Sequence, residues 1–287
     1  MTVNDGDIVK IDLGVHISGY IAVAANSIVV GAAAAAEAPV TGEKANVFHA
    51  AQGMTKAIVA TLKAGNTNTD VVDACKKVLS AYPGVKCVEG VTMHQMKRYI
   101  IDGNKTIIVR PADDNGKVEK VSFETNEVYA VDVCVSSGEG TPREGNGRTT
   151  IYKRQVDKTY QLKMAASRKV FNEINSRFPT MPFTIRSLDD EKTSKLGIRE
   201  CVMHDLLSSY GIVYERPGAH VVHLRFTLLL LPSGTLKITG INATPVTEDN
   251  MTIFGAPADL TPIDAELAAI VSAPEKVKAK KDKKKKK

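Results

Sequence analysis

The sequence predicts an α+β fold, on three observations. Strand-like runs come mostly as neighbours across short turns, helical runs are few and grouped, and strand and helix do not alternate regularly. Over 287 residues, 43% hydrophobic and 24% charged content supplies a core for one large domain or two small ones. That balance excludes a wholly disordered chain, a collagen-like chain and a coiled coil.

The elements follow in order. Asp7 to Gly14 and Gly19 to Gly31 are β-branched runs around Val15-His-Ile-Ser-Gly and read as a hairpin. An alanine-rich loop runs from Gly31 to Pro39. Thr41 can cap a helix to about Ala64, with Val47, Ala51, Met54, Ile58 and Leu62 on one stripe. A second helix follows Asn68-Thr69 and ends near Pro83-Gly84. Strands are expected around Lys105–Val109 and Glu127–Val135. Leu162–Phe178 and Gly197–Tyr210 read as amphipathic helices bracketing Pro182-Phe-Thr-Ile-Arg. Strands return at His220–Leu231 and Thr235–Ile241, and Ile263–Val271 is a short last helix.

Two strands carry polar residues among apolar ones. Period two puts Val128, Ala130, Asp132 and Cys134 on one face, and His223, Arg225 and Thr227 on one face of the later strand. Asp12 lies between Ile11 and Leu13. Such a carboxylate either faces solvent from a half-exposed sheet or is held inside by a partner or a metal. The remaining motifs are weak. Gly138-Glu-Gly-Thr-Pro-Arg-Glu-Gly lacks strand-to-helix phosphate geometry, and Gly103-Asn-Lys-Thr lacks the Gly-Lys pair of a P-loop. His220 and His223, three apart on a strand, are expected on opposite faces.

Charge is uneven. Lys276 to Lys287 holds nine lysines and one aspartate, leaving 29 basic and 31 acidic side chains on a near-neutral body. Lys280, Lys281, Lys283, Lys284, Lys285, Lys286 and Lys287 form a block suited to a polyanion such as RNA. Arg143, Arg148, Lys153 and Arg154 form a second basic group, and Arg168, Lys169, Arg177 and Arg186 a third. No aromatic residues interleave the lysines, so the tail is not expected to stack on bases. Cys75, Cys87, Cys134 and Cys201 are widely spaced without a CxxC pair, as in a reducing compartment. No stretch reaches the roughly 18–20 apolar residues of a membrane span. Asp5, Asp7 and Asp12 occupy the stretch where a secretory signal needs an apolar run.

Val9-Lys-Ile-Asp-Leu-Gly-Val-His-Ile-Ser-Gly resembles the metal-binding hairpin of type II methionine aminopeptidases, and Val91-Thr-Met-His-Gln, Asn126-Glu-Val-Tyr-Ala-Val-Asp and Leu224-Arg-Phe-Thr-Leu-Leu-Leu follow in order. Tyr99-Ile-Ile-Asp-Gly-Asn-Lys-Thr-Ile-Ile, Val135-Ser-Ser-Gly-Glu-Gly, Arg148-Thr-Thr-Ile-Tyr-Lys-Arg and Met181-Pro-Phe-Thr-Ile-Arg resemble the proliferation-associated, Erb-B-receptor-binding proteins. Those are catalytically silent relatives of the aminopeptidases. The resemblance implies a pita-bread fold, here N-terminally incomplete, with a helical insert. It divides the chain into an aminopeptidase-like core at 1–159, the insert at 160–215, the rest of the core at 216–272 and a lysine tail at 273–287.

The resemblance also implies a lost metal site. Of five ligand positions, Asp12 and His94 keep the enzyme residue, Asp132 shortens a glutamate, Val23 replaces an aspartate and Arg225 replaces the bridging glutamate. Asp102 replaces a substrate-contacting histidine. Hard dications need several anionic oxygens, and a guanidinium repels them. A pseudoenzyme without cofactor is expected, binding RNA and the large ribosomal subunit through rRNA and tunnel-exit proteins. Roles in ribosome biogenesis, translation and growth control follow, with regulatory protein partners, no membrane, and a cytoplasmic location with a nuclear and nucleolar pool. Two rivals stand beside this: an aminopeptidase using a reduced site at Asp12, His94 and Asp132, and a nuclear transcription co-regulator. For the latter, the relatives' leucine motif is eroded to Leu267-Ala-Ala-Ile-Val.

Overall fold

The structure is a computed structural model, and it describes residues 2–31, 40–113, 118–145, 147–240 and 265–272. Residues 32–39 of the alanine-rich loop, residues 241–264 and the lysine tail lie outside the described residues. The chain opens with a hairpin, β1 (Ile8–Ile17) and β2 (Tyr20–Val29), joined by Ser18 and Gly19 alone. Both turn residues have positive φ, 51° and 90°, which matches the twist of the flanking strands. The turn is therefore tighter than the expected five-residue one, and His16 and Ile17 belong to β1. A Cβ on Gly19 would lie 2.7 Å from Arg98 Cγ and from the Tyr99 ring, so this site needs glycine for space as well as φ.

Helices α1 (Gly42–Thr61) and α2 (Asn68–Ser80) follow. Thr67 and Asp70 form a reciprocal capping box that starts α2. Short β3 (Lys86–Cys87), then β4 (Thr92–Met96), β5 (Thr106–Ile108) and β6 (Val128–Ser136) come next. Strand β4 was not expected from periodicity, because His94 and Gln95 interrupt its apolar run.

The insert then begins. β7 (Arg143–Glu144) and β8 (Ile151–Arg154) precede α3 (Ala165–Arg177), β9 (Phe183–Thr184), α4 (Glu191–Met203), β10 (Leu207–Ser209) and β11 (Val213–Tyr214). Its two helices accompany a three-stranded sheet ordered β10-β8-β9, so it is not purely helical. The expected helix at Gly197–Tyr210 is displaced toward the N-terminus. Asp190 caps α4 by accepting from the Lys192 and Thr193 N–H groups, and Leu207–Ser209 pairs with β8 instead. Gly197 sits mid-helix because a Cβ there would lie 2.8 Å from the Ala166 carbonyl oxygen of α3.

The core sheet closes with β12 (Val221–Leu231) and β13 (Gly234–Lys237), and α5 (Ala265–Ser272) packs on α1. The main path runs β1-β2-β12-β6-β4-β5 with antiparallel neighbours. One sheet face is filled by the helices. All five residues of the α1 stripe are buried against Tyr129, Val131, Val133, Val222, Phe226, Leu228 and Leu230. A second core, around Val170, Ile174, Phe183, Ile198, Cys201 and Leu206, belongs to the insert.

Glu127, just before β6, ties β4, β6 and the residue leading into β5 together. Its carboxylate lies 2.6 Å from Lys105 Nζ and accepts from Gln95, Tyr129 and the Glu124 N–H at 2.9 Å each. Burial pushes its pKa up, but Lys105 and these donors outweigh burial and hold it below the ordinary value. A depressed carboxylate stabilises the fold above its unfolded pKa and loses that contribution as pH falls through the folded one. Glu127→Gln should destabilise by about 1–3 kcal/mol at pH 7, with the difference from wild type shrinking below about pH 4. Urea unfolding at several pH values checks both.

Candidate functional site

The sheet face opposite α1 carries the polar row. Antiparallel register sets Asp12 against Ala25, Ala25 against Arg225, and Arg225 against Asp132. Four strands thus contribute one line of side chains, and small Ala25 leaves room for Asp12 and Arg225 to approach over it. Arg225 reaches Asp132 Oδ2 at 3.2 Å through Nε and Asp12 Oδ2 at 3.6 Å through a terminal nitrogen. Its Nε is buried and off the hydrogen-bond axis, so the Asp132 contact is an ion pair and not an aligned hydrogen bond. The other Asp132 oxygen contacts His223 Nε2. Asp132 is therefore shared between a guanidinium and an imidazole.

His94 stands one row away, opposite Ala130. Burial lowers its pKa, and Arg225 lowers it further, against the Gln95 carbonyl, Asp102 and Asp132. The imidazole is accordingly neutral near pH 7. Val23 is 4% exposed and packs with Ile21, Met96 and Ala130. It is a core residue.

The join between β2 and β12 is unusual, with Ala25–Arg225 as its one ladder pair. Side-chain hydroxyls do the rest. Ser27 Oγ donates to the His223 carbonyl at 2.9 Å and accepts from its N–H at 2.8 Å. Thr227 Oγ1 does the same for Val23, at 3.1 and 2.9 Å. Both hydroxyls are buried and fully used, and both flank Arg225.

These residues do not fit a pair of divalent metals. A buried valine replaces one oxygen donor, and a guanidinium occupies the space between the remaining carboxylates. Among the described residues, no group of three or more His, Cys, Asp or Glu is arranged to hold a metal ion. Asp102 is taken up by an ion pair with Lys153.

An open cleft of about 1140 Å³ runs from Asp132 and His223 past Lys10, Lys44 and Cys134 to Arg216 and His220. His220 and His223 both line it. His223 is the participant that sequence reasoning passed over as a ligand candidate. Its signal was its place two residues before Arg225, on the same face.

The structure spreads the expected RNA-binding residues. Arg143 lies on β7 and pairs with Glu139 at 2.7 Å, while Arg148 is exposed. Lys153 and Arg154 lie on β8 and turn inward. Lys153 pairs with Asp102, and Arg154 sits 5.7 Å from the Phe171 ring centre and donates to the Pro179 carbonyl. Lys280–Lys287 lie outside the described residues. Burial pushes the Cys87, Cys134 and Cys201 thiols up to about 12 and Cys75 still further, so none is a poised nucleophile.

The model for metallopeptidase family M24 matches residues 1–152. The chain is 42% identical to ERBB-3 binding protein 1 of Solanum tuberosum, over 99% of this chain and 70% of that one. It is 38% identical to proliferation-associated protein A of Dictyostelium discoideum over 99% and 70%, and 37% identical to the curved DNA-binding protein of Schizosaccharomyces pombe over 100% and 72%. A solved structure of a thermophilic Arx1 superposes with a TM-score of 0.79 at 26% identity, covering 96% of this chain and 76% of that one. The fold is the pita-bread fold.

Arg225→Met should destabilise by about 1–3 kcal/mol, because it leaves the partly buried Asp132 carboxylate beside Asp12 with His223 but without its guanidinium. Asp12→Asn should cost less, since Asp12 is half exposed. The same Arg225→Met change should raise the His94 pKa, which an NMR titration of the imidazole reads directly.

Proposed function

Because this chain belongs to the proliferation-associated, ERBB-3-binding group within metallopeptidase family M24, we propose that it is a non-catalytic protein that binds RNA and the large ribosomal subunit. The observation that carries the non-catalytic half is Arg225, a fixed cation held between Asp12 and Asp132. An aminopeptidase of this fold needs a dication there to activate water. Here the carboxylates spend their charge on a side chain.

The binding half rests on charge and on kinship. Nine lysines in the last twelve residues follow a body with slightly more acids than bases. Such a tail gains affinity by releasing counterions from phosphates and reads no sequence. Lys169 and Arg186 are exposed on folded elements, and Arg148 is exposed in the loop between β7 and β8, so they set orientation. Arg143 is exposed and adds to them, whereas Lys153 and Arg154 contribute through the insert they anchor. The Arx1 likeness and the relatives' names support a place in ribosome biogenesis. The site on the subunit is the rRNA and protein surface around the tunnel exit, with a cytoplasmic protein that also visits the nucleus and nucleolus.

Cosedimentation with isolated large subunits across a salt series tests this. Wild type should pellet at low salt, and deletion of Lys276–Lys287 should flatten the dependence of log affinity on log salt. Reversing Arg148, Lys169 and Arg186 should weaken binding with little change in unfolding midpoint. Wild type in the supernatant at low salt, or pelleting no better than an unrelated lysine-tailed protein, refutes the ribosome assignment. Release of methionine from peptides by the metal-supplemented protein refutes the non-catalytic reading.

A further inference from the structure

The insert has a core of its own, and among the described residues its helices and strands share no broad packing with the core sheet or with α1 and α2. The chain leaves the core after β6 and returns before β12, so two runs, 137–150 and 209–220, carry the whole joint. Gly138, Gly140, Gly145 and Gly147 lie on the way out, and Gly211 and Gly218 on the way back. Within the joint β7 and β11 pair over two residues on each side. Glycine-rich runs bend readily, and two bodies without a broad apolar interface are free to move against each other.

Two sets of contacts nevertheless hold the insert in place. At the root, one oxygen of Glu215 accepts from the Ser136 hydroxyl at 2.9 Å and from the Gly140 N–H at 2.6 Å, while the other accepts from the Arg216 N–H at 2.9 Å. Burial pushes the Glu215 pKa up, but these donors outweigh burial and hold it below the ordinary value. Ser137 and His220 add two bonds beside it, at 2.9 and 3.0 Å. At the far end, Met181 packs against the cluster of Ile21, Val23, Met96 and Ala130, and Lys153 pairs with Asp102. By strand alternation Val23 shares its face with Ala25, and Ala130 with Asp132. Met181 therefore rests on the face that carries the Arg225 row.

We infer that the insert is a hinged cover on the polar face, clasped at its root by Glu215 and seated at its far end by Met181. The two contacts differ in character. The clasp is charged and directional, so it sets the angle of the neck. The seat is a single flexible thioether on an apolar cluster, and it lifts away without orphaning a buried charge. Such a cover opens by rotation of a whole body about a few residues, with both hydrophobic cores intact. Opening bares Val23 and Ala130 and parts Lys153 from Asp102. The device uses contacts inside the chain alone, so it stands or falls apart from ribosome binding.

Distances between two spin labels test this on the full 287-residue chain. The labels go on Lys76→Cys of α2 and Ser176→Cys of α3, both exposed positions, and Cys134→Ser removes the native cysteine that is not fully buried. This parent should give one narrow distance. Glu215→Ala and Met181→Ser should each raise a second, separated population about tenfold, with the native circular dichroism spectrum kept. Glu215→Gln should stay close to the parent, since its amide oxygen still accepts from Ser136 and Gly140. In a separate chain, a maleimide should modify Val23→Cys slowly, and about tenfold faster once Glu215→Ala is added. The cover is overturned by an unchanged distance in both Glu215→Ala and Met181→Ser, or by a Val23→Cys thiol equally reactive with and without the clasp. Separation that arises only as the native spectrum is lost overturns it too.

Discussion

Everything on the polar face of this sheet is arranged around one cation. Arg225 stands at the middle of the central strand pair, with Asp132 beside it and Asp12 two strands away. Two carboxylates on an apolar sheet would repel one another and pay for desolvation, unless something positive sat between them. In a working member of the fold, metal supplies that charge. Here the polypeptide supplies it, permanently and at every pH a cell meets. His223 takes the second oxygen of Asp132, and His94 is left neutral by burial and by the same guanidinium.

The architecture around the cation follows from its position. Where β2 meets β12, the ladder is reduced to one pair, and Ser27 and Thr227 replace the missing main-chain bonds with hydroxyls. Those bonds hold the hairpin to the rest of the sheet on either side of the arginine. The opposite face needs no such device. It is filled by α1, whose every core-facing residue meets another apolar side chain.

Several of these features could be read from the letters. The α1 stripe from Val47 to Leu62 repeats at helical spacing, so its burial followed from periodicity alone. Asp132 and Arg225 shared faces with their neighbours by a period of two, and the register brought those faces together. Other features could not be read so. The α4 boundary depended on Asp190, one of three consecutive acids, whose capping role shows only once its side chain bends back to the helix. Strand β10 was lost because Leu206 and Leu207 extend the α4 pattern until the backbone turns at Asp205, at positive φ. The inward turn of Lys153 and Arg154 was invisible to charge counting, because their partners Asp102 and Phe171 are distant in sequence.

The packing of Val23 bears on whether such a protein could ever regain chemistry by small steps. A carboxylate introduced at position 23 alone would arrive among Ile21, Met96 and Ala130 with no counter-charge beyond an arginine already committed. A glutamate introduced at position 225 alone would add a third acid to two that had lost their cation. Either substitution is harmful until the other is present, and both are harmful until metal is bound.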